Sequence, residues 1–330
     1  LGLEYTGEEL SRSLRTSFRS GVLDLVLNFL PGFLFGLLLG WEMTIALLLG
    51  GITYISSSGI ISKLLSDTGW LGNRETPAIL SILVFEDLVM AIYLPLMSVL
   101  LLGGDLASGL SSLGIALVTV VIIAGIALRF GGQVSRFINS HSNEIVLLSV
   151  LGVVLLVGGI AQRFEVSAAV GAFLMGIALS QELSEKVHEI IVPLKDLFAA
   201  VFFVFFGLQI MPSALPQVLL PALALGIITA ITKFITGMYA ARRLGVFTRG
   251  QVRAGTILTI RGEFSIVIAG LAAATQVDAP GLAPLAAAYV LLMAVMGPIL
   301  LRFLDPILNA ILRREKAVSR NVPPQPEPEM

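Results

Sequence analysis

Two adjacent carboxylates, Glu86 and Asp87, lie in the middle of an apolar run from Ala78 to Leu102. A run of this length is typical of a membrane-spanning helix, because about 20 apolar residues cross the ~30 Å hydrocarbon core of a bilayer. Charged groups are costly at that depth and usually mark the path of an ion or a proton. The alternative is that the two acids only form ion pairs that hold helices together. The pair is the first candidate for a functional site.

The composition indicates a polytopic membrane protein. Of 330 residues, 56% are hydrophobic and 13% are charged, whereas soluble domains carry about 25% charged residues. The chain has no cysteine, which excludes disulfides, thiol catalysis and thiolate metal sites. The net charge of -1 gives no indication of nucleic-acid binding.

Ten apolar spans are predicted from the hydropathy pattern. Most basic residues fall on one side of the predicted membrane, so both ends of the chain are expected in the cytoplasm. The expected domains are the cytoplasmic end of a preceding helix with a loop at 1–20, a transmembrane domain at 21–312 and a disordered cytoplasmic tail at 313–330. The predicted spans are 21–40, 42–65, 77–102, 112–130, 143–162, 166–181, 196–211, 217–242, 251–274 and 284–312.

The second and ninth spans are interrupted by small and polar residues. The second span contains Ser56, Ser57 and Ser58 beside glycines, and the ninth contains Arg261 and Glu263. Interrupted spans at corresponding places in the two halves of a transporter indicate broken helices of an inverted repeat, which form the binding site. The sequence therefore predicts a site where these two spans cross.

Four spans each carry a costly polar side chain at a similar depth. At 1.5 Å per helical residue, each lies ~12–15 Å from the cytoplasmic end of its span. These side chains are Ser57, Glu86, Lys233 and Arg261. With Asp87 and Glu263, the deep set holds three carboxylates against two cations, which leaves one negative charge for a monovalent cation or a proton.

The chemistry of this set favours competition between a cation and a proton. Hard cations prefer oxygen ligands, which the carboxylates, the three serines of the second span and freed carbonyls can supply. Burial disfavours the charged form of a carboxylate, so a proton competes with the metal ion for it. Neighbouring side chains on a helix point about 100° apart. We assign Asp87 to the cation and Glu86 to a salt bridge with Lys233, partly on the resemblance described next.

Short stretches across the whole chain match the motifs of one family in their order. They are Leu1-Gly2-Leu3-Glu4, Ser56-Ser57-Ser58, Phe85-Glu86-Asp87, Phe202-Phe203-Val204-Phe205-Phe206-Gly207-Leu208, Lys233-Phe234 with Ala240-Ala241-Arg242, and Arg261-Gly262-Glu263-Phe264. On these stretches the chain resembles the monovalent cation:proton antiporter-2 family, which includes sodium/proton exchangers and Kef-type potassium/proton antiporters.

The resemblance implies an all-α membrane fold of thirteen helices with inverted repeats and two broken helices that cross. About ten of these helices are expected here, because the family's Leu-Gly-Leu-Glu stretch closes the third helix. Core helices at about 42–65, 77–102, 217–242 and 251–274 would move like an elevator against a dimerisation domain, and the full-length protein would be a homodimer in the cell membrane.

The family function that the resemblance implies is exchange of Na⁺ or K⁺ for H⁺ across the bilayer, with no cofactor besides the transported ions. Asp87 is similar to the family's cation- and proton-binding aspartate. Lys233 is similar to its core lysine, and Arg261 with Glu263 to its supporting ion-paired residues. Glu86 stands where many sodium exchangers have aspartate and Kef-type proteins have glutamine, which leaves the cation and the stoichiometry open.

Two other classes of protein are weighed against the antiporter. A sodium-coupled solute symporter on a similar broken-helix fold stays open, and pH-dependent cation binding distinguishes it from an antiporter. An intramembrane aspartyl protease needs a second deep aspartate, but the other aspartates, Asp24 among them, are expected at span ends or in loops. The protein is therefore not expected to be an enzyme.

Overall fold

The computed structural model describes residues 7–101, 129–136, 142–163, 181–209, 215–274 and 281–320, together with isolated positions and stretches of two or three residues outside these ranges. This part of the chain is helical and contains no strand. The helices are α1 (Gly7–Leu38), α2 (Met43–Tyr54), α3 (Ser58–Asp67), α4 (Thr76–Leu101), α5 (Asn143–Arg163), α6 (Gln181–Gln209), α7 (Leu215–Arg243), α8 (Thr248–Ile257), α9 (Glu263–Ala274) and α10 (Leu282–Arg320).

Several of these helical segments are long and apolar enough to cross a membrane, by length and composition alone. The described residues contain six of them, and α9 provides a shorter apolar stretch. The six segments are Ser17–Leu38, Met43–Asp67, Thr76–Leu94, Asn143–Ala161, Pro216–Arg243 and Leu282–Leu304. These segments agree with the prediction of an all-helical, multi-pass membrane chain. The predicted spans 112–130 and 166–181 lie largely outside the described residues.

The first and last helices are longer than the sequence predicted. Helix α1 begins at Gly7, so most of the segment 1–20 continues directly into the first span without a loop. Helix α10 runs to Arg320, so residues 313–320 of the predicted disordered tail are helical. The first extension contains glutamate, arginine and leucine, and the second contains arginine, glutamate, lysine and alanine. These residues favour helix even where polarity had indicated a loop.

The interruptions in the second and ninth spans are breaks in the helices, as predicted. Helix α2 gives way to α3 at residues 55–57, and α8 gives way to α9 at residues 258–262. The two breaks contact each other: the Ser57 backbone N–H donates to the Ile260 carbonyl at 2.9 Å, and the Ser56 hydroxyl oxygen lies 3.0 Å from the Leu258 carbonyl oxygen. Each break thus satisfies backbone groups of the other, which water cannot do inside a membrane.

Apolar packing encloses this crossing. One cluster of buried side chains joins α2, α4, α9 and α10, and a second joins α3, α4 and α8. The polar groups at the two breaks therefore lie in surroundings of low dielectric, where their partners decide whether they are tolerated.

Helix α7 approaches α8 closely at Gly237. A methyl carbon at Gly237 would lie 2.7 Å from the Ala254 carbonyl oxygen and 2.7 Å from the Gly255 Cα. Both neighbours are backbone atoms, which cannot turn away as a side chain can. Small residues at such crossings let membrane helices pack at short range.

We therefore expect Gly237→Ala to destabilise the protein by about 1–3 kcal/mol through overpacking. The measurement is the thermal unfolding temperature of the purified protein in detergent. The matched control is Gly152→Ala in α5, where an added methyl group meets no atom within 4 Å. Alanine favours helix over glycine, so this control keeps or raises the unfolding temperature. Equal unfolding temperatures for the two variants would contradict the close packing of α7 on α8.

Candidate functional site

The ammonium group of Lys233 is the centre of the buried polar cluster. Lys233 is fully buried on α7 and donates to Glu86 Oε1 at 2.6 Å, to Asp24 Oδ2 at 2.7 Å and to the Tyr54 carbonyl at 3.0 Å. The predicted ion pair with Glu86 is present, and an ion pair with Asp24 accompanies it. One side chain thereby joins α7 to α1, α2 and α4.

Glu86 accepts hydrogen bonds from two neighbouring residues. Besides the Lys233 ammonium, its carboxylate accepts the Ser56 backbone N–H at 2.6 Å and the Ser56 hydroxyl at 3.0 Å. Glu86 is fully buried, whereas Asp87 is partly exposed as a residue and has its Oδ2 atom buried. The two adjacent acids therefore have different surroundings, as their different directions on α4 led us to expect.

Asp24 corrects the sequence-based description of the site. We expected it near a span end, but it is fully buried in the middle of α1 because that helix begins at Gly7. It also revises the charge balance, since the deep set now holds four carboxylates against two cations. The single net negative charge that the sequence predicted is therefore too small.

Asp24 also removes the argument that the chain lacks a second deep aspartate. Its carboxylate accepts from Lys233 at both oxygens, from the Thr236 hydroxyl at 2.8 Å and from the Asn28 amide at 3.0 Å. This is a saturated ion pair, not one of two carboxylates that share a proton as in an aspartyl protease.

A sequence signal for Asp24 does exist in α1. Ser17, Ser20, Asp24 and Asn28 are all buried, and they recur every three or four residues in an otherwise apolar segment. That spacing places them on one face of the helix. A polar stripe on an apolar helix indicates a face that packs against other polar groups, and here it faces Lys233.

The three serines of the first break are all buried, but two of them link helices in this conformation. The Ser56 hydroxyl lies between Glu86 and the Leu258 carbonyl. The Ser57 hydroxyl donates to Glu263 at 2.7 Å and accepts the Ile60 N–H at 3.2 Å, which caps α3. The role of Ser56, Ser57 and Ser58 as cation ligands stays a prediction. Among the described residues, histidine and acidic side chains form no group of three or more that could hold a metal ion.

Arg261 and Glu263 do not form the ion pairs that we expected. Within the described residues neither has an oppositely charged partner within 4 Å. Arg261 donates to the Tyr289 hydroxyl and to the Leu258 carbonyl, each at 3.0 Å. Glu263 accepts the Ser57 hydroxyl and, at 3.4 Å, the Gly59 N–H.

Helix ends explain why these two charges have other partners. Leu258 follows the last residue of α8, where the helix dipole is negative and an arginine is favoured. Glu263 opens α9 and also reaches the first turn of α3, and both of these N-terminal ends are positive. Each charge thus compensates the ends of broken helices.

Two broken helices whose polar breaks meet buried ionisable groups, within a multi-pass helical chain, fit the class of secondary membrane transporters. The family model for the transmembrane sodium/hydrogen exchangers matches residues 1–304, so the chain belongs to that family. This confirms the family resemblance seen in the sequence motifs, and the prediction that the protein is a transporter and not an enzyme.

Curated relatives cover most of the chain. The K⁺/H⁺ antiporter subunit KhtU of Bacillus subtilis is 35% identical over 307 residues, which are 91% of this chain and 74% of KhtU. The ammonium/H⁺ antiporter subunit AmhT of Alkalihalophilus pseudofirmus is 32% identical over 328 residues, or 97% of this chain and 81% of AmhT. The Na⁺/H⁺-K⁺ antiporter GerN of Bacillus cereus is 29% identical over 278 residues, or 82% of this chain and 70% of GerN.

We expect Asp24→Asn to destabilise the protein strongly. Removing one partner of a buried ion pair costs about 3–5 kcal/mol, and this is the upper limit here because Glu86 still pairs with Lys233. Thermal unfolding measures the effect. The control is Asp67→Asn, which breaks an exposed 3.1 Å pair with Lys63 that contributes about 0–1 kcal/mol. Equal, small shifts in both variants would contradict the importance of Asp24.

Proposed function

We propose that the protein is a secondary antiporter that exchanges a monovalent cation, Na⁺ or K⁺, for protons, and that Asp87 carries the two in turn. Its membership of the sodium/hydrogen exchangers supports this class of activity. The names of the relatives support it too, since they describe exchange of K⁺, Na⁺ or ammonium against H⁺.

The observation that carries the assignment to Asp87 is the pairing of Glu86 with Lys233. A carboxylate that is paired with Lys233 and also accepts from Ser56 is a poorer ligand for a transported cation, because the ammonium group already compensates its charge. Asp87 is adjacent on the same helix, points about 100° away and is partly exposed. It is therefore the less completely enclosed of the two acids, which favours it as the group that exchanges its ligand.

The proposed cycle uses competition at one carboxylate. Ionised Asp87 binds the cation on one side of the membrane, and a proton takes its place for the return. One cation against one proton makes the exchange electroneutral. Proton release from Lys233 would add a second proton and make it electrogenic. The ion pair with Asp24 supports the electroneutral cycle, because Lys233 keeps a carboxylate partner even if Glu86 moves away.

Alternating access would come from movement of the two broken helices together with α4. The bonds between the breaks support their movement as one body. The thirteen-helix fold, the inverted repeats, the elevator motion and the homodimer rest on the family resemblance. The position of both chain ends in the cytoplasm rests on the distribution of basic residues, and location in the cell membrane rests on the resemblance.

Asp87→Asn in the full-length protein is expected to abolish cation-dependent proton flux. An amide cannot carry the proton and binds a cation more weakly than a carboxylate. The measurement is proton movement in reconstituted vesicles on addition of Li⁺, Na⁺, K⁺, Rb⁺ or NH₄⁺, with exposed Asp67→Asn as the control that keeps activity. Retained exchange in Asp87→Asn would refute the assignment, and cation-driven solute uptake without proton flux would favour the symporter.

Glu86→Gln is expected to retain part of the exchange activity but to lower the unfolding temperature. The substitution removes one of the two charges that compensate Lys233 and leaves Asp87 in place. Flux and thermal unfolding are measured on the same preparation. A variant that is fully stable but inactive would reverse the roles of the two acids.

A further inference from the structure

The hydroxyl of Tyr54 is buried without a hydrogen bond. Tyr54 is the last residue of α2 and is fully buried. Its phenolic oxygen has no hydrogen-bond partner among the described residues. Buried phenols normally find a partner, because an unsatisfied polar group is costly inside a protein. An orphan hydroxyl therefore requires an explanation.

Two other tyrosines among the described residues, Tyr93 and Tyr289, follow the usual rule. The Tyr93 hydroxyl donates to the Leu47 carbonyl at 2.8 Å. The Tyr289 hydroxyl accepts from Arg261 and bonds with Thr229 at 2.9 Å. The unsatisfied hydroxyl is thus a feature of one position, at the start of the first break.

The surroundings of Tyr54 belong to the ion site. Its carbonyl accepts the Lys233 ammonium group, which also lies 5.2 Å from the centroid of its ring. Asp24 and Glu86 accept from the same ammonium group. The ring of Tyr54 therefore adjoins the ion pairs of the site, although its hydroxyl has no hydrogen-bond acceptor among the described residues.

We propose that the Tyr54 hydroxyl is a further oxygen ligand of the transported cation, acting together with Asp87; this rests on the proposed antiport function. A neutral oxygen suits Na⁺ or K⁺, because hard cations take oxygen ligands and a phenol adds one without adding charge. Binding of the cation gives the orphan oxygen its partner. The hydroxyl then affects the affinity for the cation and leaves the number of charges in the cycle unchanged.

The competing explanation is that the hydroxyl has no role in binding. In that case its removal relieves an unsatisfied buried group and leaves transport as it was. Tyr54→Phe separates the two explanations, because it keeps the ring under Lys233 and removes only the oxygen. Because the aromatic ring stays in place, the variant is expected to keep the fold.

The experiment measures proton exchange of Tyr54→Phe against the concentration of NaCl and of KCl, with choline chloride as the inert salt. We expect the KM for the transported cation to rise about tenfold or more, with little change in the maximal rate. Loss of a hydrogen bond or ligand to a charged partner has an effect of this size. The rise in unfolding temperature that the cation produces in the wild-type protein is expected to shrink in the variant.

Tyr93→Phe is the matched control. It removes a hydroxyl that is satisfied by the Leu47 carbonyl, so it lowers the unfolding temperature and leaves the KM unchanged. If Tyr54→Phe keeps both the wild-type KM and the cation-dependent stabilisation, the inference is wrong and the antiporter proposal stands. If the wild-type protein shows no cation-dependent proton flux, the antiporter proposal is wrong; cation-dependent stabilisation that is lost in Tyr54→Phe would still identify the ligand.

Discussion

The structure depends on one buried charge, the ammonium group of Lys233. A cation removed from water is tolerated only when opposite charges and hydrogen-bond acceptors surround it. Asp24, Glu86 and the Tyr54 carbonyl meet this requirement, and they come from α1, α4 and the end of α2. Satisfying one ammonium group therefore fixes how three helices pack against α7.

The crossing of the broken helices solves a second problem of the same kind. A helix that stops inside a membrane exposes backbone groups and leaves partial charges at its ends. Here the Ser57 N–H bonds to the opposite break, Arg261 donates to the carbonyl that follows α8, and Glu263 lies at two N-terminal helix ends. The charges at the crossing thus have a structural use that is distinct from ion binding.

The buried charges fall into two groups, one around the Lys233 ammonium group and one at the crossing of the broken helices. Asp24, Glu86 and Lys233 are bound to one another, and Arg261 and Glu263 are bound to the breaks. Asp87 differs from both groups in being partly exposed. The proposed cycle makes use of this difference, since a fixed scaffold would hold the site while one carboxylate exchanges its ligand.

Local sequence was enough to predict apolar spans, the two helix breaks and the pairing of Glu86 with Lys233, because span length is a local property and a buried charge needs a partner. It did not determine where α1 begins, and so it misplaced Asp24. The binding of Arg261 and Glu263 to helix ends and the unsatisfied hydroxyl of Tyr54 follow from tertiary packing. Such partners depend on the rotation and the lateral position of each helix, and hydrophobic periodicity determines neither.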